Sequence, residues 1–175
     1  MKKLTLIISV LFFCLIACQN NQTKEELEKY RAQALLEEQN QNLVIQAFDR
    51  MNNQDETVYT ELYSPDYSWY MPANNTNKLT REEEAASVKL LWSAFPDIRW
   101  NIEEIVSSGN LVMVRFTTKG THKGEYQGIP PTGEKWESGG IFLARLEEGK
   151  LIEVREEFDV IGWMQQLGME LKMKE

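Results

Sequence analysis

The stretch LIEVREEFDVIG, Leu151 to Gly162, decides the fold. With a period of two it sets Ile152, Val154, Glu156 and Phe158 on one face and Leu151, Glu153, Arg155 and Glu157 on the other, the alternation of a half-buried strand. Asp159 then stands where a helix N-cap is needed, Val160 to Leu167 reads as a short helix, and Gly168 suits its C-terminal end. The predicted buried face holds three apolar side chains and one carboxylate. Glu156 is therefore the first candidate functional group.

Moving outward, Arg99 to Ser107, Leu111 to Lys119 and Lys135 to Glu147 read as further strands ahead of Lys150 to Phe158. They are separated by Ser-Gly-Asn, by the Gly/Pro-rich segment Gly120 to Gly133 and by Glu-Glu-Gly, which predicts an antiparallel meander. Thr80 with Glu83 forms a capping-box signature, and the helix it opens carries Ala85, Val88, Leu91, Trp92 and Phe95 on one side before Pro96 stops it. Tyr67 to Met71 is strand-like, Pro72 to Leu79 is an Asn-rich loop, and Asp55 to Tyr63 reads as a short helix. Lys24 to Asn53 holds neither Gly nor Pro and predicts one long helix or two joined ones, with Thr23 as N-cap. Only its second half, through Leu43, Val44, Ala47, Phe48 and Met51, shows an apolar stripe. The first half, to about Asn42, reads as a charged stalk, with a coiled-coil seam as the rival. Helices followed by a curved antiparallel sheet that wraps round them give an α+β domain, cone-shaped, with an internal pocket.

The first residues stand apart from that domain. MKKLTLIISVLFFCLIACQN combines two lysines with an apolar run from Leu6 to Ala17, too short for a permanent span, and reads as an export signal over residues 1–17. Its end, Leu15-Ile16-Ala17-Cys18, resembles the lipobox of bacterial lipoproteins, which implies a lipid on Cys18 and attachment to a membrane of the cell envelope. Residues 18–42 then form tether and stalk, and 43–175 the domain. With Cys14 lost in the signal, no disulfide framework is available. Removal of Lys2 and Lys3 takes the formal charge from −8 to −10, and no basic cluster interleaves with aromatics, so nucleic acid is not an expected partner.

Other chemistry-bearing residues are few. His122 is the single histidine, on the Gly-rich segment, where it serves loop architecture or titrates beside the pocket. Asp159 is a second carboxylate whose position fits a cap better than an acid. One histidine and no thiol pair leave the common zinc sites unbuilt, and neither a phosphate-binding glycine loop nor a nucleophile elbow occurs, so no metal or cofactor is expected. Most of the tryptophans should be core; Trp69, Trp92 and Trp163, with Tyr126, are candidate ligand walls.

Three segments line up in order: AFPDIRWNIEEIVSSGNLVMVRFTTKGTHKGEYQGIPPTG, the strand ending ARLEEGKLIEVREEFD, and IGWMQQLG. With Gly120-Thr121-His122, Gly128-Ile129-Pro130-Pro131-Thr132-Gly133 and Gln166-Leu167-Gly168 as a set, Leu43 to Gly168 resembles the SnoaL-like polyketide cyclase family of nuclear-transport-factor-like cone folds. The resemblance implies a mainly apolar pocket open at one end. It also implies that an aspartate on the last strand acts as general acid/base in an aldol closure, assisted by a histidine on the preceding strand. Counted from Gly149-Lys150, Glu156 holds the aspartate position, Phe142 the histidine position, and Val154 that of a further histidine. Phe142, Val154 and Phe158 then join the expected ligand-binding wall.

Two functions follow as expectations. One is an envelope-anchored domain that binds a small hydrophobic or aromatic molecule. The other is an acid/base enzyme of cyclase or isomerase type acting on a polyketide-like carbonyl compound, with Glu156 as proton shuttle. An apolar outer sheet face of Leu111, Met113, Ile141 and Leu143 suggests a homodimer.

Overall fold

In the computed structural model, which describes residues 2–170 and 172 and side chains from Thr23 onward, ten elements follow one another. They are α1 (Lys2–Asn52), α2 (Thr57–Leu62), β1 (Tyr63–Tyr70), β2 (Leu79–Thr80), α3 (Arg81–Ala94), β3 (Arg99–Ser108), β4 (Leu111–Thr121), β5 (Lys135–Glu147), β6 (Lys150–Phe158) and α4 (Val160–Gln166). The side chains of the export segment and of Cys18 lie outside the described residues. The chain divides into two units, Met1–Leu36 and Glu37–Glu175. In the first, residues 23–36 are exposed, Leu27, Tyr30, Leu35 and Leu36 among them.

The second unit is built on a six-stranded sheet in the order β2-β1-β6-β5-β4-β3. β3 to β6 form the antiparallel meander expected from the turn signals. β1 lies along β6 in parallel, a pairing between segments far apart in sequence that no local alternation reveals. On β4, Val112, Val114, Phe116 and Thr118 are buried, whereas Met113 and Arg115 face outward. On β5, Phe142, Ala144 and Leu146 continue that inner layer, and Ile141 and Leu143 are exposed on the other side, as Met113 of β4 is. Gly140 makes room for the ring of Phe116: a Cβ there would stand 2.9 Å from that ring and 2.5 Å from the Glu157 carbonyl oxygen.

Helix α1 joins this core through Val44, Ala47 and Phe48, and the Phe48 ring stacks on Phe142 at 5.6 Å. Within the second unit, contact with the sheet is already made at Glu37. The Gly109 N–H donates to Glu37 Oε1 (2.8 Å) and Asn40 Nδ2 donates to the Gly109 carbonyl (2.9 Å), so two polar residues close the β3–β4 turn. Sequence reading set the start of the domain at Leu43, because a polar side chain that satisfies a turn looks like a solvated one.

The capping box forms as expected. The Glu83 N–H donates to Thr80 Oγ1 (3.3 Å), and the Thr80 N–H donates to Glu83 Oε2 (2.8 Å). That start fixes the phase of α3 and turns Glu84, Val88 and Trp92 toward the sheet.

The edge of β6 departs from simple alternation. Glu147 pairs with Lys150 across Glu148 and Gly149, both at positive φ as a two-residue hairpin requires. The register then shifts between Arg145 and Leu146, whose partners are Glu153 and Leu151. Ile152 is the additional residue of a bulge. Leu151, expected on the outer face, is buried, while Ile152, expected inside, is half-exposed. Beyond the bulge Val154, Glu156 and Phe158 keep their expected side.

Asp159 caps α4: its Oδ1 accepts from the Gly162 N–H at 2.8 Å, and Trp163 of that helix is buried. Asp159→Ala should lower the unfolding free energy by about 1 kcal/mol, while Asp159→Asn, which keeps the accepting oxygen, should retain most of it. Chemical denaturation of both variants measures the difference.

Candidate functional site

Two adjoining hollows lie between the sheet and the helices of the second unit. The larger has a volume of about 320 Å³ and the smaller about 70 Å³. They share Met51, Trp69, Glu84, Trp100, Phe116 and Glu156. The rings of Tyr126, Trp136, Phe158 and Trp163 stand on the remaining wall of the larger one, beside aliphatic side chains such as Val88, Leu91 and Ile98. The smaller is closed by Val44, Phe48, Phe142 and Val154 among others. Such walls hold a flat apolar molecule by shape and dispersion, and leave orientation to the few polar atoms present.

The first of these polar groups is Glu156. The bulge at Ile152 lets it face the same side as the buried Leu151. Its Oε2 accepts a hydrogen bond from Trp69 Nε1 at 3.0 Å. The residue as a whole is half-buried, and the loss of water falls on its carboxyl, which lines both hollows. Burial pushes that carboxyl up to about 7, against the opposing effect of the Trp69 bond, which favours the ionised form. Arg115 lies far from this exchange, paired with Glu104 on the outer face at 3.1 Å.

The second is Glu84, which sequence reading missed. Burial raises it to about 8; the Glu156 charge adds to the rise, and the Tyr67 hydroxyl opposes it without meeting hydrogen-bond geometry. Its Oε2 is buried and has no hydrogen-bond partner. The signal was present. Glu84 stands four residues before Val88 and eight before Trp92, so it belongs to the apolar stripe of α3 that was read as starting at Ala85. Neither Glu84 nor Glu156 has an ion-pair partner among the described residues.

Three tyrosines back this pair. The rings of Tyr59, Tyr63 and Tyr67 follow one another at 4.9 and 4.8 Å, and burial with the neighbouring carboxyls keeps their hydroxyls protonated far beyond neutral pH. They offer hydroxyl dipoles and no charge.

Of the residues expected at the site, Trp69, Tyr126, Phe158 and Trp163 line the larger hollow, and Phe142 and Val154 the smaller. Trp100 and Trp136 stand on the wall as well. Trp92 is buried but lies on neither wall. His122 is fully buried in the loop that follows β4. Its Nδ1 pairs with Thr132 Oγ1 at 3.1 Å, and its ring packs 5.2 Å from that of Phe95. With its backbone bonded to Glu134 and Gly133, it ties the Gly/Pro-rich segment together. Asp159 is outside the cavity, on the cap of α4. No group of three or more His, Cys, Asp or Glu among the described residues is placed to hold a metal ion.

Residues 42–167 match the family described as SnoaL-like polyketide cyclase. Aklanonic acid methyl ester cyclase DnrD of Streptomyces peucetius is 34% identical over 89 residues, which span 50% of this chain and 61% of that protein. The matched segment is thus less than two thirds of that relative. Among solved structures, IdmH of Streptomyces antibioticus, a candidate polyketide cyclase, superposes with a TM-score of 0.65 at 26% identity, over 74% of this chain and 99% of its own. A SnoaL-like protein of Jannaschia Sp. CCS1 gives 0.69 at 24% identity, over 78% and 96% of the two chains.

Both buried carboxyls bind protons more tightly in the folded chain, at about 8 and about 7, than at their ordinary 4.5. The folded state therefore holds more protons than the unfolded one between roughly pH 5 and pH 8, and stability falls as pH rises through that window, by up to about 1.4 kcal/mol per pH unit for each carboxyl. Thermal unfolding followed against pH should show the midpoint dropping toward pH 8. Glu84→Gln should flatten that drop.

Proposed function

The chain belongs to the SnoaL-like polyketide cyclase family, and on that premise we propose that it binds a small, largely apolar carbonyl compound in this cavity and moves a proton at one of its carbons, with Glu156 as the acid/base group. One observation carries the reading: a carboxyl set in an aromatic-walled hollow, held by Trp69 Nε1 and raised to about 7, exchanges its proton near neutrality. A substrate carbon acid that lies against Glu156 loses a proton to the carboxylate. The electron pair of the broken C–H bond passes toward the carbonyl oxygen, and the protonated Glu156 returns the proton when the new C–H or O–H bond forms. The apolar wall excludes water, which sharpens both transfers.

The likeness to a cyclase named for aklanonic acid methyl ester supports a ring-closing or isomerising reaction. Phe142 and Val154 give the strand neighbours of Glu156 no second base, so the same carboxyl must serve in both directions. These two apolar side chains also favour the second reading, in which the cavity only holds its ligand. The proposal extends to place: the lysines, apolar run and Cys18 at the N-terminus support export and lipid attachment to the cell envelope.

A model carbon acid separates the two readings. In D2O, 2-tetralone should exchange its α-hydrogens in the presence of the protein, followed by proton NMR, and Glu156→Gln should slow that exchange by about 10²-fold or more. Exchange that survives the substitution removes the acid/base reading. Tryptophan quenching by 2-tetralone with no exchange leaves the binding reading in its place.

A further inference from the structure

Glu84 takes no part in the steps above, yet it shares both hollows with Glu156. It comes from the other wall, α3 rather than β6, and the Thr80–Glu83 capping box fixes the helical phase that turns it inward. The residue is 9% exposed. Its Oε2 finds no hydrogen-bond partner in the protein, and neither do the hydroxyls of Tyr59 and Tyr67 beside it. A carboxyl buried this way is costly as an anion, and as an acid it is an O–H donor in want of an acceptor. The residue lines both hollows, and a ligand oxygen lying there supplies the acceptor its carboxyl lacks.

We propose that Glu84, in its protonated form, donates a hydrogen bond to the carbonyl oxygen of the bound compound while Glu156 moves the proton at the adjacent carbon, which defines the substrate as a carbonyl flanked by an acidic C–H. The inference rests on the acid/base reading of Glu156. In the step, the C–H bond breaks, its proton goes to the Glu156 carboxylate, and its electron pair passes through the carbon framework to the carbonyl oxygen. Glu84 keeps its own proton and tightens its bond to the enolate oxygen as negative charge gathers there. Collapse of the enolate, by protonation at carbon from Glu156 or by carbon–carbon bond formation with a second carbonyl whose oxygen takes that proton, closes the balance with no other reagent.

The neighbours suit the assignment. Glu84 faces Glu156 from β6, Tyr59 from α2, and Tyr63 and Tyr67 from β1, and of these Glu156 alone bears charge near neutrality. Burial raises both carboxyls; the Trp69 bond favours ionised Glu156, and the resulting Glu156 charge raises Glu84 further, so the pair holds the base and the donor together. A preorganised donor aimed at a developing oxyanion in a water-poor site is the largest single contribution such a cavity offers.

The test uses the full chain with 2-tetralone as probe. Glu84→Leu should lower the maximal exchange rate by about 10²-fold with little change in the apparent KM, because the lost bond strengthens only as the enolate forms. Glu84→Gln keeps an N–H donor and should recover about 10-fold of that loss. It should also abolish the alkaline fall of the pH–rate profile, since an amide has no proton to lose in that range. Should Glu84→Leu not fold, the profile of the Gln variant decides. Wild-type rates in both variants, or an alkaline fall that persists in Glu84→Gln, overturn the assignment of Glu84 and leave Glu156 untouched if Glu156→Gln is inactive. A wild-type protein that exchanges nothing sinks both assignments together.

Discussion

A carboxyl group taken out of water must find a cation, find enough donors, or take up a proton. Glu156 finds one donor, the indole of Trp69, and Glu84 finds none at its Oε2. No lysine or arginine reaches either one among the described ion pairs. Protonation is the remaining way out, and it brings two acids into the range where proton transfer is useful. The rest of the second unit positions this pair. The phenylalanines of α1, β4 and β5 keep the floor dry, the capping box aims one carboxyl, and a bulge aims the other.

Such an arrangement works against the stability of the fold that holds it. Replacing two acidic side chains by apolar ones of similar size would remove a penalty that grows with pH, and the large aromatic core offsets that penalty rather than relieving it. The polar groups that could have neutralised the site are spent elsewhere. Arg155 lies over the ring of Tyr70 at 4.2 Å and donates to the Ala73 carbonyl, while Glu157 accepts from the Ala73 N–H. The outward face of β6 thus fastens the Asn-rich loop, and its inward face is left without a cation.

The sequence made some of this legible. Turn residues and alternation gave the meander, and Thr80 and Asp159 announced their helices. An acidic residue among apolar neighbours on a strand marked Glu156. What stayed hidden has common causes. The parallel partnership of β1 and β6 joins segments too far apart for any local pattern. Glu37 and Asn40 looked solvated because their partners, the backbone groups of Gly109, are distant in sequence. Glu84 sits in a run of three glutamates at the start of a helix, where acidic residues are explained by the dipole alone. Trp92 matched its helical stripe and went into the core, since periodicity tells which face is buried but not whether a hollow lies beneath it.

Ile152 has a final lesson. Were Ile152 drawn into the ladder and the bulge ironed out, strict alternation from the buried Leu151 would carry Glu153 and Arg155 inward and leave Glu156 in solvent. Interior polarity thereby hangs on one unpaired residue beside a water-exposed hairpin: a single-residue slip of this strand would trade acid for guanidinium while every aromatic contributed by other strands stayed in place.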